Sequence, residues 1–427
     1  MIAIETRLPA RPLDLARRAW RGSGAMLLWT RDGSGPSYVA CDPCQLATGL
    51  DPEAQLESSV GLGRWASLPR WLGVLPYEAQ RQRLERQVLL ALDERPPPLV
   101  RDNQWWRYPA VAVVDSKVTI AGDDRDAVDA LRARLMGPPV PGAPPELHVR
   151  DMGGSDEQHR RCILRALEFI REGETYQINL ARRLEFAARG GCLELLEQIS
   201  DRARSPYCAA FVTPTGQEIV STSPELFLQL EPDRRVVTVP IKGTRPRGND
   251  ANLDRQLALE LDQDDKERAE LAMVVDIERN DLGRVAATGS VVAEPARVVR
   301  HTGVFHRQAR VSARLREGVD RAELLRATLP SGSITGAPKV RTMELIRTLE
   351  SNRRGLYTGS FGVVTQGGGL NLAMAIRTLC RDGDVAHYWV GGGIVLDSDP
   401  DREVEETRWK ASQLERLLRA GPKRVGH

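Results

Sequence analysis

YTGSFGVVTQGGGLNLAMAIRTLCRDGDVAHYWVGGGIVL, residues 357–396, carries three strand-like runs in succession: YTGSFGVVTQ, LNLAMAIRTLC and DVAHYWVGGGIVL. No helical pattern separates them. The same grouping recurs upstream in YQINLARRLEF (176–186), AAFVTP (209–214), ELFLQLE (225–231) and RVVTVPI (235–241). Strands that come in groups, rather than in strict alternation with helices, point to an α+β protein and away from a doubly wound sheet.

Helical patterns lie between the groups. SDEQHRRCILRALEFIREGE (155–174) has Ser155 as a candidate N-cap, with Ile163, Leu167 and Ile170 at helical spacing. A long helix is expected from about Asn252 through Arg279, shorter ones in RAELLRATL and around KVRTMELIRTLE, and a last one from Pro400. GPPVPGAPPEL, Gly137 to Leu147, is too rich in proline and glycine for a helix or a central strand. The chain therefore divides into residues 1–136, a linker 137–150 and a longer region 151–420. The first region alternates short strands such as AMLLWT (25–30) and YPAVAVVD (108–115) with turns, around a helical stretch at 77–94.

Composition excludes several functions. The 427 residues hold 60 Lys+Arg against 58 Asp+Glu and no basic stripe interleaved with aromatics, so nucleic acid is not an expected partner. The N-terminus lacks the apolar core of a signal peptide and no run is long enough to span a bilayer, so a cytoplasmic protein is expected, with no membrane partner. Cys41 and Cys44 form a lone CxxC with no second pair and no nearby histidine, which reads as ordinary thiols rather than zinc.

Four clusters carry chemistry. In SDPDREVEETRWKASQLERLL, Asp399 can cap and Pro400 fits the first helical position. Glu403, Glu406 and Lys410 then share one helix face, while Trp409, Leu414, Leu417 and Leu418 can supply packing. Two carboxylates and an ammonium on one stripe can hold magnesium and an anion, or form a solvated salt-bridged face. Gly391, Gly392 and Gly393 let backbone N–H groups approach an anion, or make a tight turn. AELAMVVDIERNDLGR (269–284) packs Glu270, Asp276, Glu278, Arg279 and Asp281 around an apolar MVV, or is simply a helix stopped at Gly283. GSITGAPK (332–339) can wrap a ligand with small and hydroxylated residues, or is a plain loop before Pro338 starts a helix.

Together with TYQINLARR, TSPELF, PIKGTRPRG, YTGSFG and AIRT, these segments resemble the chorismate-utilising enzymes: anthranilate, aminodeoxychorismate and isochorismate synthases. They occur in the family's order from about Ser155 to Leu418, and AMLLWT, YVACDP and WLGVLPYE look like its N-terminal region in shortened form. The resemblance implies the anthranilate-synthase-like chorismate-binding fold: one α+β body of two packed β-sheets with helices outside. It implies chorismate as substrate and Mg²⁺ as cofactor, with Glu270 and Glu406 as ligands and Glu403 acting through water. The ion would hold the ring carboxylate at Gly391 to Gly393. Tyr357 and Arg377 would grip the enolpyruvyl carboxylate, with Lys410 adding positive charge. His306 matches the family's active-site histidine, although Arg307 and Ala309 replace the usual leucine and serine after it. Ser333 matches the hydroxyl of the serine loop, and Thr244 and Arg279 complete the expected substrate contacts. Glu225 matches the general acid that helps expel the C4 hydroxyl.

Within the family, the choice of chemistry turns on two positions. Isochorismate synthases have a lysine base where this chain has Gln177; anthranilate synthases have alanine where it has Lys242. PIKGT resembles the aminodeoxychorismate synthases, which implies a lysine amine attacking C2 before ammonia enters at C4 on the way to 4-aminobenzoate and folate. Only six of the 60 cationic side chains are lysines (Lys117, Lys242, Lys266, Lys339, Lys410, Lys423), and an arginine, always protonated, cannot be a nucleophile. Arg245 and Arg247 are close enough in sequence to favour the neutral amine. No cysteine sits in a GxCxG-type turn, so a separate glutamine amidotransferase subunit is expected to supply ammonia. Two other readings remain: an anthranilate synthase component I, and a non-catalytic subunit that binds chorismate or an amino acid. Thr30 replaces the serine of the family's tryptophan site and leaves that site unassigned.

Overall fold

Strands from both ends of the chain interleave in two large sheets. The computed structural model describes residues 1–8, 11–53, 66–80, 93–203, 205–301 and 303–419. Among these, a 12-stranded sheet runs Ile2–Thr6, Val118–Gly122, Ala110–Val114, Ser37–Ala40, Met26–Thr30, Tyr207–Val212, Glu218–Ser223, Thr378–Asp382, Val385–Val395, Gln177–Arg189, Gly336–Ala337, with Glu146–Asp151 also on Gln177–Arg189. The seam between early and late residues is the antiparallel pair Met26–Thr30 and Tyr207–Val212. A nine-stranded sheet is joined the same way, by Pro69–Leu75 against Ser360–Thr365. The strands of residues 1–136 therefore complete the sheets of residues 151–420.

The sheets face each other across a core of Met26, Leu28, Ala209, Phe211 and Ile219 from one and Leu72, Val74, Trp106, Phe361 and Val363 from the other. Phe211 bridges them, with ring centroids 6.4 Å from Trp106 and 5.9 Å from Phe361. The helices Pro12–Ala19, Arg125–Met136 and Cys192–Ala203 cover the outer face of the first sheet. Asp265–Gly283 and Arg321–Thr328 cover the second.

Several local expectations change. The linker is shorter than 137–150, because Glu146–Asp151 adds an edge strand once the prolines end at Pro145. The long helix from Asn252 is two helices, Ala251–Gln263 and Asp265–Gly283. Asp264 leaves helical geometry at ψ 104 and its carboxylate accepts from the Glu267 N–H, so it caps the second helix rather than continuing the first. RVVTVPI divides at Pro240, which has no N–H for the ladder. Arg235–Val239 stays in the nine-stranded sheet, and Ile241–Pro246 joins Val304–Gln308 and Arg297–Arg300 in a small third sheet. Of the helical stretch 77–94, Tyr77–Gln80 is one 3₁₀ turn and 81–92 lie outside the described residues. Ser155 caps its helix through Gln158 N–H, and Asp399 accepts from the N–H groups of Asp401 and Arg402. Trp409 is 56% exposed and Leu414 is buried; the side chains of Leu417 and Leu418 lie outside the described residues.

One buried ion pair ties these elements together. Arg354 and Glu350, with side chains 1% and 2% exposed, pair through two hydrogen bonds of 3.0 and 2.7 Å. The guanidinium also donates to Asn179 O at 2.7 Å, Ile334 O at 2.9 Å and Thr358 Oγ1 at 3.3 Å. Glu350 in turn accepts the Ala181 N–H at 3.0 Å. Removing one member strands the other charge in the core. Glu350→Ala is expected to lower unfolding stability by about 3–5 kcal/mol, read from the urea midpoint at unchanged m-value.

Candidate active site

The small third sheet brings Lys242 and Thr244 beneath the start of the Asp265–Gly283 helix. Gly243, at φ +77, shifts the register there. A Cβ at Gly243 would lie 2.6 Å from Leu261, so only glycine allows this approach. Lys242 Nζ donates to Ser333 O at 3.4 Å and lies 3.9 Å from Glu270 Oε2. Arg245 and Arg247 turn instead to Asp264 and Asp254, at 2.9 and 2.6 Å, so neither arginine faces Lys242 as the sequence led one to expect.

Glu225 sits at the corner between Glu218–Ser223 and Leu226–Leu230, only 5% exposed. Its carboxyl is hydrogen-bonded to Ser333 and feels the Lys242 charge, both of which favour the anion. Burial outweighs them and pushes the group up to about 7. Ser333 belongs to the buried turn Ser331–Ala337, held from below by Arg354 on Ile334 O.

His306 is buried in the strand opposite, and the Thr244 hydroxyl lies 2.9 Å from its Nδ1. Burial, then the nearby Arg377 and His301, hold it down to about 3, so the ring is neutral at pH 7. Arg307 turns away to the Asp262 carboxylate at 2.7 Å. Arg377 adopts φ 51, in the left-handed region. For a side chain this size that costs about 1–3 kcal/mol, a strain typical of ligand sites. Tyr357 stacks on Trp389 with planes 3° apart and centroids at 5.4 Å.

The acidic groups gather on the far side. Glu270, Glu403 and Glu406 come from two helices, with Lys266 Nζ 3.9 Å from Glu270 and 3.7 Å from Glu403. Ser398 donates to Glu403 at 2.8 Å, yet burial still raises this carboxyl. Burial also pushes against ionised Glu406, but Lys410, at 2.6 Å, together with Lys266 and Lys242, outweighs it and holds the group low. Lys410 donates as well to Gly391 O at 2.6 Å. The three glycines lie inside the Val385–Val395 strand, paired with Leu180 and its neighbours, and do not form a turn. Their role is steric: a Cβ on Gly392 would come within 3.3 Å of Glu403 and 3.5 Å of Glu406, into the space these carboxylates face. No three carboxylates among the described residues converge on a metal-sized point. Even so, their hard oxygen donors and the Lys266 ammonium balancing their charge suit a small hydrated dication.

Contacts or charge interactions join Lys242, Ser333, Glu225, Glu270, Glu403, Glu406, Lys410, Gly391 and Gly392, and link Thr244 and Arg377 to His306, while Tyr357 meets Trp389. Arg279 lies on the exposed face of its helix, paired only with Asp276 at 3.5 Å, because it is out of phase with Glu270 on the helix. Thr30 is engaged locally with Ser37 Oγ and Pro36 O. Lys266 was missed, though its spacing of four from Glu270 was a usable signal. Gln177 is fully buried beside Gly393, with neither amide atom hydrogen-bonded within the described residues.

The chain matches the chorismate binding enzyme family over residues 44–416. It is 42% identical over 292 residues to an anthranilate synthase component 1 of Haloarcula marismortui, covering 67% of this chain and 59% of that one. It is 34% identical over 364 residues to the aminodeoxychorismate synthase component 1 of Bacillus subtilis, covering 81% and 76%. Its fold overlays the menaquinone-specific isochorismate synthase of Escherichia coli with a TM-score of 0.77, at 19% identity and coverage of 98% and 94%. The chain therefore belongs to the chorismate binding enzymes. It spans less than two thirds of the Haloarcula relative, and of a Thermus thermophilus anthranilate synthase component 1 of which 61% is matched.

A raised carboxyl has a signature in stability. Between the ordinary glutamate value of 4.5 and about 7, folded Glu225 keeps a proton that the unfolded chain has released. Its contribution is present at low pH and lost as pH rises through about 7. Stability of wild type relative to Glu225→Gln is expected to fall across that window in urea titrations; a flat difference would contradict the assignment.

Proposed function

We propose that this enzyme aminates chorismate at C4, as an aminodeoxychorismate synthase component I. The observation that carries the reading is the Lys242 amine, placed between the Ser333 carbonyl and Glu270 at 3.4 and 3.9 Å, beside the Glu225 carboxyl. Lys242 would first give its extra proton to water or ammonia; neutral Glu225 would then protonate the departing C4 hydroxyl, which leaves as water, while the Lys242 nitrogen forms a bond to C2 and the ring double bond shifts. Ammonia then bonds to C4, the double bond shifts back and the C2–N bond breaks, freeing Lys242. Arg377, which donates to Ser205 Oγ at 3.5 Å, would grip the enolpyruvyl carboxylate together with Tyr357. Buried and neutral, His306 would offer a hydrogen bond without adding charge. Gln177 would bind substrate or ammonia but cannot act as the base for water.

Mg²⁺ is proposed to be held by Glu270 and Glu406, with Glu403 through water, where Lys266 now balances their charge. Bound there, the ion would neutralise the ring carboxylate, with Lys410 close by. Ammonia would come from a separate glutamine amidotransferase. No helix among the described residues is long and apolar enough to cross a membrane. A cytoplasmic enzyme of 4-aminobenzoate and folate synthesis fits this reading.

The test is the product formed from chorismate, Mg²⁺ and ammonium. The expected outcome is 4-amino-4-deoxychorismate, converted to 4-aminobenzoate only when an aminodeoxychorismate lyase is added. Fluorescent anthranilate appearing without any second enzyme would show the ortho-aminating chemistry instead. Intact-mass analysis during turnover is expected to find a chorismate-derived adduct that Lys242→Ala lacks.

Glu225→Gln is expected to lower kcat roughly a hundredfold or more, the ordinary worth of a general acid. Wild-type kcat should decline above about pH 7 as Glu225 loses its proton.

A further inference from the structure

Lys266 sits where a helix start disfavours it. It is the second residue of the Asp265–Gly283 helix, between Asp265 and Glu267, where the helix dipole favours acids and opposes a cation. It also precedes Glu270 by four positions, the weaker order for a lysine–glutamate pair on a helix. Local helix energetics therefore do not explain this lysine. A partner from outside the helix does. Glu403 Oε1, on the Pro400–Arg419 helix, lies 3.7 Å from Lys266 Nζ, and Glu270 Oε1 lies 3.9 Å away. One ammonium thus spans carboxylates of two helices.

Three of the chain's six lysines stand at these acids, and they are held differently. Lys410 lies 2.6 Å from Glu406 and donates to Gly391 O at 2.6 Å. The Lys242 side chain is 14% exposed and donates to Ser333 O. The Lys266 side chain is 57% exposed, and both its ion pairs are longer than a hydrogen bond. Charge alone holds it, on a flexible stem with a way out to water. An arginine would grip these carboxylates with its planar fork; an ammonium is a hydrated point charge that can leave.

We propose that Lys266 is an exchangeable counter-ion of the acidic cluster: its ammonium and the dication compete for Glu270 and Glu403, so that Lys266 sets how tightly the metal is held. The proposal rests on the reading of Glu270, Glu403 and Glu406 as the carboxylates that hold the metal. A dication at these oxygens and an ammonium less than 4 Å from them repel each other. Hard carboxylate oxygens favour the dication, and the exposed lysine, unlike the buried Glu403, can regain water. The side chain therefore leaves and the carboxylates stay. No covalent bond is made or broken. While Lys266 is in place it offsets the mutual repulsion of the carboxylates and keeps them charged.

Lys266→Met keeps the length of the stem and removes the charge, and methionine and arginine both suit an exposed helix position. Calorimetric titration with Mg²⁺ alone is expected to show Lys266→Met binding about three- to tenfold tighter than wild type, the effect of losing two partly exposed ion pairs. Lys266→Arg, whose fork holds carboxylates harder, is expected to bind about threefold more weakly. Lys117→Met removes the same charge at the edge of the 12-stranded sheet, where Lys117 pairs with Glu5, and should leave the affinity unchanged. Urea unfolding gives a second readout. Lys266→Met should be less stable than wild type without Mg²⁺ and equal to it at saturating Mg²⁺, where the displaced lysine contributes nothing. Affinity in Lys266→Met equal to wild type, or weaker, overturns the exchange and leaves the metal reading standing. Equal tightening in Lys266→Met and Lys117→Met would show an effect of net charge alone and also overturns it. Uptake of Mg²⁺ by neither wild type nor any variant overturns the metal reading and the exchange with it.

Discussion

The site depends on one buried ion pair. Among the described residues, the Arg354 guanidinium lies 5.7 Å over the ring of Tyr357, the expected substrate residue that the pair of Arg354 and Glu350 meets. Yet together they bind the backbone of the Gln177–Arg189 strand at two points and the serine turn at a third. The glycine strand pairs with the first of these; Ser333, and through it Glu225 and Lys242, depends on the second. A buried pair is rarely a net source of stability, because desolvation offsets most of the attraction. Its effect here is geometric. A planar fork satisfied in several directions admits few alternative placements of the three segments.

Around that anchor, charge is distributed by environment more than by residue type. Glu225, Glu278 and Glu406 are all glutamates, yet burial outweighs the nearby Lys242 and Lys339 and lifts the first two, while Lys410 at 2.6 Å, with Lys266 and Lys242, holds the third low. Glu225 and Glu278 thus favour the protonated form while Glu406 favours the anion.

Much of this was legible in the amino-acid order. Grouped strands implied α+β architecture, and the spacing of Glu403, Glu406 and Lys410 placed them on one helix face. Ser155 and Asp399 announced their helix starts, because capping is local chemistry. The failures were also physical. Asp264 splits a helix that propensity alone would run through, and the glycines of VGGGIV occupy a strand because the pairing with Gln177–Arg189 extends over them. Arg279 was assigned by its segment, but helical phase carries it to the surface.

The sequence by itself determined the class of fold, the family and the inventory of reactive groups, since these follow from residue type, period and short-range spacing. Only the tertiary structure decided which groups meet. Lys242 lies 28 residues before its partner Glu270 and 91 before the Ser333 carbonyl. Ser331 reaches Glu278 across 53 residues. Local sequence has no signal at such separations. These pairs exist because two interleaved sheets and one buried arginine bring distant strands and turns to a single cleft.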